Sequence, residues 1–301
     1  MYINWEYYKV FYSVARYGSF TQAARVLGNN QPNITHTMNK LEEQLNCVLF
    51  TRTHRGVNLT PEGQLLYERI SNAAMQIQDA EEALGSAASF SQGSIAISTT
   101  ETALNIYLSD QLRDFHHAYP GIRLHIFNHS TPQAIQAVKS GEVDFAVVST
   151  PIDPEPSLHT AELCSFREIL VGGKGFSALA DHTLSLQEIS QYPLISLSAQ
   201  SMTRRFYRQL FLAHDATLSP DTEAATTDQL LTLVKSELGL AFMPEPMALD
   251  ALQRGEIVKI ALHEPIPPRT VCLVYDKRRP LNTAAREFRH RLVGSAKEVS
   301  V

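Results

Sequence analysis

Cysteine is scarce in this chain: Cys47, Cys164 and Cys272 are the only three in 301 residues, odd in number and far apart in sequence, with no CxxC and no histidine cluster nearby. That pattern excludes a disulfide framework and argues against a zinc site, so no metal is expected. No uninterrupted apolar stretch reaches membrane-spanning length, and the segment from Met1 to Tyr8 lacks a basic region followed by an apolar one. A soluble cytoplasmic protein is expected from this. Positive charge is the minority sign, with 26 Lys plus Arg against 31 Asp plus Glu and a net charge of −5. This excludes a chain that coats nucleic acid over its whole surface. The motifs GxGxxG, GxxxxGKS/T and GxSxG are missing, and Gly172-Gly-Lys-Gly175 is a weak lookalike that reads as a turn. An enzyme on a doubly wound fold therefore loses its main support, and no cofactor is expected.

What is present begins at residues 20 to 45. Phe20, Ala23, Ala24 and Leu27 form one short apolar stripe, Gly28 can take the positive φ that ends a helix, and Asn29 or Asn30 can cap the next one. Pro32 is tolerated in the first turn of that helix. Ile34, Met38, Leu41 and Leu45 then recur at spacings of four, three and four, which predicts one buried face. Off that face lie Gln31, Asn33, Thr35, His36, Asn39 and Lys40, mostly neutral groups able to match donors and acceptors on base edges in a major groove. Two amphipathic helices making only a small core is the plainer reading. The flanks weigh against it: Trp5, Tyr8, Phe11, Val14 and Ala15 supply a preceding helix, and residues 49 to 60 read as a hairpin wing around Gly56 carrying Arg52, His54 and Arg55. Over residues 1 to 60 six bases face three acids, so contact with phosphates should be confined to this segment.

Thr60-Pro61-Glu62 combines a capping residue, a proline for the first helical position and an acid for the first turn, which predicts a helix start. Leu66, Ile70, Ala73, Ile77, Ala80 and Leu84 follow at alternating spacings of four and three, the seam of a two-helix coiled coil; packing of the helix on its own domain is the alternative. Residues 85 to 93, rich in small side chains, read as a hinge. From Gly93 onward strands and helices alternate, with breaks at Pro151, Pro154 and Pro156 and again at Pro265 to Pro268. Two breaks and a returning segment suggest two α/β lobes with mostly parallel sheets, joined by two crossovers, with a ligand between them.

Taken with Gly18-Ser-Phe-Thr-Gln-Ala-Ala24, Gln31-Pro32, Leu41-Glu42, Leu49-Phe-Thr-Arg52, Leu59-Thr-Pro-Glu-Gly63, Gly141-Glu-Val-Asp-Phe-Ala146 and Gly239-Leu-Ala-Phe-Met-Pro244, the chain resembles a LysR-type transcriptional regulator along its full length. The resemblance implies a multidomain, non-enzymatic protein. An all-α winged helix-turn-helix is expected over 1–60 and a dimerising linker helix with hinge over 61–92. The remainder, 93–301, is expected to be a two-lobed periplasmic-binding-protein-like effector domain, lobe I being 93–161 and 268–301 and lobe II 162–267. It also implies double-stranded DNA with an inverted-repeat site, a small effector, a homodimer through residues 61–84 assembling further to a tetramer, and RNA polymerase as a further partner. By position, Gln31, Pro32, Thr35, His36 and Asn39 would face bases, while Arg52 and Arg55 on the wing would reach the minor groove or phosphates. Asn30 and His36 depart from the serine and arginine common in the family; a histidine, mostly neutral near pH 7, attracts phosphate less than an arginine does.

For the effector, the resemblance implies a site at the end of the first effector-domain strand and the following helix start, here residues 98–102. Thr100 and Thr102 hydroxyls there join free backbone N–H groups to hold an anion. Ser149, Ser201, Thr203 and Thr226 also fall at strand ends or helix starts, so they are expected to complete the cleft around a small, anionic metabolite. Capping alone would also explain such residues. A peroxide sensor would need a reactive cysteine with a resolving partner, and Cys164 and Cys272 are widely separated in sequence.

Overall fold

A computed structural model describes residues 3–53, 56–85 and 93–298, and the chain divides into two compact units, Met1–Ala87 and Ala88–Val301. No described helix is long and apolar enough to cross a membrane.

In the first unit, α1 (Trp5–Tyr17) starts where the Asn4 side chain accepts from the Glu6 N–H at 3.0 Å and ends at Gly18, whose φ is 59°. Ser19 caps α2 (Phe20–Val26), and Gly28, at φ 61°, reverses the chain. A glycine suits that left-handed turn because it carries no Cβ. Asn30 then caps α3 (Gln31–Leu45) by accepting from Asn33 N at 2.9 Å, and Pro32 sits in the first turn. Phe11, Val14, Ala23, Ala24, Ile34, Met38 and Leu41 are buried together, so the three helices close on one core. A hairpin follows, β1 (Phe50–Thr53) antiparallel to β2 (Gly56–Leu59). The Glu42 carboxylate on α3 fixes its base by accepting from Leu49 N at 2.7 Å and Phe50 N at 3.2 Å.

The linker helix α4 (Pro61–Gly85) begins at Thr60, whose hydroxyl accepts from Gly63 N and donates to Val48 O. A Cβ on Gly63 would lie 2.1 Å from Leu49 O, so only glycine allows this close packing of helix on wing. Here the seam expected from sequence is divided. Leu66 and Ile70 pack into the first unit's own core, and Tyr67 stacks on Tyr12 with centroids 5.8 Å apart. Farther along, Ile77 is 43% exposed. The first part of the four-three repeat is thus intramolecular, because a helix that must seat its start against the wing turns its first apolar positions inward. The hinge expected between 85 and 93 lies mostly outside the described residues, as do His54 and Arg55.

The second unit has two lobes. Lobe I runs through β3 (Gly93–Thr99), α5 (Glu101–Ala103), a π-helical turn (Leu104–Leu108), α6 (Ser109–Ala118), β4 (Ile122–Asn128), α7 (Thr131–Ser140), β5 (Phe145–Ser149) and β6 (His159–Phe166). Lobe II runs through β7 (Glu168–Gly173), a 3-10 helix (Lys174–Asp181), β8 (Thr183–Leu184), α8 (Leu186–Ile189), β9 (Leu194–Leu197), α9 (Met202–Ala213), β10 (Thr222–Ala224), α10 (Thr227–Lys235), β11 (Leu240–Pro244), α11 (Glu245–Gln253) and β12 (Ile257–Leu262). The chain then returns to lobe I with β13 (Arg269–Tyr275) and α12 (Thr283–Glu298). Sheet orders are β4-β3-β5-β13-β6 and β10-β9-β11-β7-β12-β8.

Two details differ from the sequence reading. Both sheets are mixed: β13 runs antiparallel to β5 and β6, and β7 antiparallel to β11 and β12. In addition, β6 pairs with β13 over its length, so the first crossing falls at Arg167 rather than after residue 161. The Gly172-Gly-Lys-Gly175 run is no phosphate loop. A Cβ on Gly173 would lie 2.5 Å from Val234 O, and the Glu237 carboxylate accepts from Gly175 N at 2.9 Å, where it would repel a phosphate.

Candidate nucleic-acid interface and effector cleft

On α3 the apolar positions Ile34, Met38 and Leu41 are buried, which leaves Gln31, Pro32, His36, Asn39 and Lys40 exposed on one side and Thr35 half-buried beside them. Thr21 Oγ1 on α2 donates to Gln31 Oε1 at 3.3 Å, so the Gln31 amide keeps its N–H donors for an outside partner. Asn29 Oδ1 accepts from Asn33 Nδ2 at 3.1 Å, which holds the turn against the helix start. Arg52 lies on β1 opposite Val57 in the wing. Arg16, by contrast, is spent on its own helix, 6.0 Å from the Tyr12 ring and 5.8 Å from the Tyr17 ring.

Between the lobes lies a cleft of about 370 Å³. Thr100, Thr102, Ser149, Ser201, Thr203 and Thr226 all line it, so the six hydroxyl residues singled out from strand ends and helix starts converge on one cavity. Sequence reasoning missed the neighbouring wall of His129, Ser130, Thr131 and Gln133, although these too follow a strand and open a helix. His129 Nδ1 lies 3.0 Å from Ser98 Oγ. Beneath the floor is a residue nothing in the sequence pattern marked. Arg269, 1% exposed, opens β13 and donates to Thr150 O at 2.7 Å, Glu168 Oε1 at 2.6 Å, Ser149 Oγ at 3.2 Å and Thr203 Oγ1 at 2.9 Å. Phe166 and Phe206 flank its guanidinium at 5.5 and 5.4 Å. Burial pushes the Glu168 carboxyl above its ordinary range, with the guanidinium opposing that rise.

Hydrogen-bond polarity follows from these contacts. Guanidinium groups only donate, so Ser149 and Thr203 accept from Arg269, and the O–H of each remains a donor. Thr100 Oγ1 likewise accepts from Ala103 N at 3.3 Å, and Thr226 Oγ1 from Gln229 N at 3.3 Å. Ser201, the N-cap of α9, makes no capping bond, so the first-turn N–H groups of α9 have no side-chain acceptor. The Glu101 carboxylate, although it lines the cleft, reaches across to lobe II and accepts from Thr227 N at 2.7 Å and Asp228 N at 3.4 Å. Burial raises its carboxyl above the ordinary value, the bond from Thr227 N partly offsets this, and the neighbouring Asp228 carboxyl raises it further. Among the described residues no group of three or more His, Cys, Asp or Glu is placed to hold a metal ion.

A winged helix-turn-helix joined to a two-lobed domain with a polar cleft defines a regulator that binds DNA and carries an effector domain. The chain belongs to the LysR-type transcriptional regulators: the bacterial regulatory helix-turn-helix protein, lysR family, matches residues 5–64, and the LysR substrate binding domain matches residues 88–297. It is a DNA-binding transcriptional regulator, not an enzyme. Over 280 residues it is 26% identical to the HTH-type transcriptional regulator YofA of Bacillus velezensis, covering 93% of this chain and 94% of that one. It is 24% identical over 289 residues to the transcriptional activator protein LysR of Escherichia coli, covering 95% and 91%. Among solved structures, the LysR family regulator CbnR superposes with a TM-score of 0.75 at 18% identity over 98% of this chain and 99% of that one. A full-length CbnR complex with target DNA gives the same TM-score, at 18% identity over 99% and 100%. The effector binding domain of QuiR in complex with shikimate superposes with a TM-score of 0.62 at 19% identity, over 69% of this chain and 99% of that one.

Cys164 and Cys272, distant in sequence, come onto adjacent strands, with Val271 directly opposite Cys164. Burial pushes both thiols up, Cys272 to about 12. The thiolate is the reactive form, and burial disfavours it at Cys272. In the folded protein a chromogenic disulfide reagent at pH 8 is therefore expected to leave Cys272 unlabelled until denaturant exposes it. Labelling at the rate of a free thiol would contradict this burial.

Proposed function

We propose that the cleft holds a small anionic metabolite, seated between Thr203 with the α9 start on one side and Ser149, Thr100 and Thr102 on the other. The single observation that carries this reading is that hydroxyl oxygens of both lobes already accept from protein N–H groups, leaving their protons as donors. A group rich in acceptors, such as a carboxylate, complements such a lining. The dipole of α9 favours the same sign. QuiR, whose fold is similar, has been solved with shikimate, a carboxylic acid with neutral hydroxyls. Binding alters DNA recognition by favouring one arrangement of the lobes over another.

At the other end of the chain, Gln31, Pro32, Thr35, His36 and Asn39 read bases in the major groove, and Arg52 with Arg55 contact phosphates or the minor groove. The chain acts as a homodimer paired through α4, extending to a tetramer on an inverted-repeat site in the cytoplasm. The exposure of Ile77 supports pairing beyond the part of α4 that packs on its own unit. Paired heads would read half-sites about 34 Å apart.

Gln31→Ala and Thr35→Ala should each lose about 1–3 kcal/mol of discrimination at the bases they face, measured by binding-site selection. An unchanged preferred sequence in both variants would refute this placement of α3.

For the cleft, Thr203→Val removes a donor to the ligand, worth about 1.5–3 kcal/mol when the acceptor is charged. Calorimetry with shikimate and related hydroxy acids should show affinity falling about ten- to hundredfold. Equal affinity for wild type and variant would move the site elsewhere.

A further inference from the structure

Two helices of lobe II open onto the cleft, and their first turns are treated differently. At α9 the N-cap Ser201 makes no capping bond. At α10 the first turn is already filled: Thr226 Oγ1 accepts from Gln229 N, and the Glu101 carboxylate from lobe I accepts from Thr227 N and Asp228 N. A carboxylate of the protein thus occupies, from within, the position a second anionic group of a ligand would need.

We infer that Glu101 restricts the cleft to effectors bearing one anionic group, by filling the α10 start itself and repelling a second carboxylate. This rests on the reading of the cleft as an anion site. Among the described residues no lysine or arginine lines the cavity, and Arg269 beneath it is already paired with Glu168. A second negative charge on the ligand would therefore meet Glu101 without a counter-charge, in a half-enclosed space where like charges a few ångströms apart are poorly screened. Neutral hydroxyls or amides on the ligand meet no such penalty, since Gln133, Ser130 and Thr131 line the same wall. The effector class is then a monocarboxylate with neutral polar substituents, of a size that fits about 370 Å³.

The test is titration calorimetry on the full chain with acids paired by skeleton: 3-hydroxybutyrate against malate, and benzoate against phthalate. Wild type should bind each monoacid at least about tenfold tighter than its diacid. Glu101→Gln keeps the size and one acceptor but removes the charge, and it should raise the diacid about tenfold relative to its monoacid. Glu101→Ala, which empties the α10 start, should favour the diacid further. A role confined to holding the lobes together would move both acids of a pair alike and leave their ratio unchanged. Diacids binding wild type as tightly as monoacids, or a ratio unaltered in both variants, would overturn the inference while leaving the cleft reading intact, provided Thr203→Val still weakens the monoacid. Binding of no acid to any of these proteins would overturn the cleft reading and the inference together.

Discussion

The effector domain is organised around one buried guanidinium. Arg269 opens the returning crossover and meets Glu168, which opens the outgoing one, so a single ion pair ties the two strands on which the lobes connect. A buried pair of this kind adds little net stability against apolar side chains of the same shape, but removing one partner leaves an uncompensated charge and costs about 3–5 kcal/mol. Its contribution is placement. One nitrogen of Arg269 reaches Ser149 of lobe I and Thr203 of lobe II together, while the rings of Phe166 and Phe206 shield it from water. Both hydroxyl oxygens accept from the same nitrogen, so one rigid planar group sets their separation.

The same economy of donors governs the helix starts around the cavity. At the α7 start Ser130 N and Ser130 Oγ both donate to Gln133 Oε1, the α10 start is closed by Thr226 and Glu101, and at the α9 start Ser201 makes no capping bond. Each uncapped N–H leaves a free donor, and a ligand acceptor can satisfy it at the moment of binding. A ligand that touches hydroxyls of both lobes stabilises one lobe arrangement relative to others, which is the thermodynamic condition for regulation.

Much of this was legible in the sequence, and the reason differs by element. The helix-turn-helix could be read because Gly28, Asn30, Pro32 and the Ile34-Met38-Leu41 repeat are local signals, each with its own backbone consequence. The six cleft hydroxyls could be read for a similar reason: a strand end followed by a helix start is a local pattern. His129 to Gln133 carry that same pattern and could have been found with it. What escaped depends on pairing across long stretches of chain. The strand β6 is amphipathic and polar enough to resemble loop, and it is revealed only by its ladder with β13, more than a hundred residues away. Arg269 looks like a surface cation after a proline pair, and Glu168 like an ordinary strand-edge acid. The division of the α4 seam escaped as well, because apolar spacing cannot distinguish a helix packed on its own wing from one paired with a second chain.

The central claim is that Ser149 and Thr203, from opposite lobes, act as a unit on one ligand group because they share Arg269. A double-mutant cycle on acid binding to the full-length protein, using Ser149→Ala, Thr203→Val and the pair, measures this directly. Coupling of at least about 1 kcal/mol between the two substitutions is the predicted result. Losses that add to within about 0.3 kcal/mol, or single variants that bind as the wild type does, would contradict it.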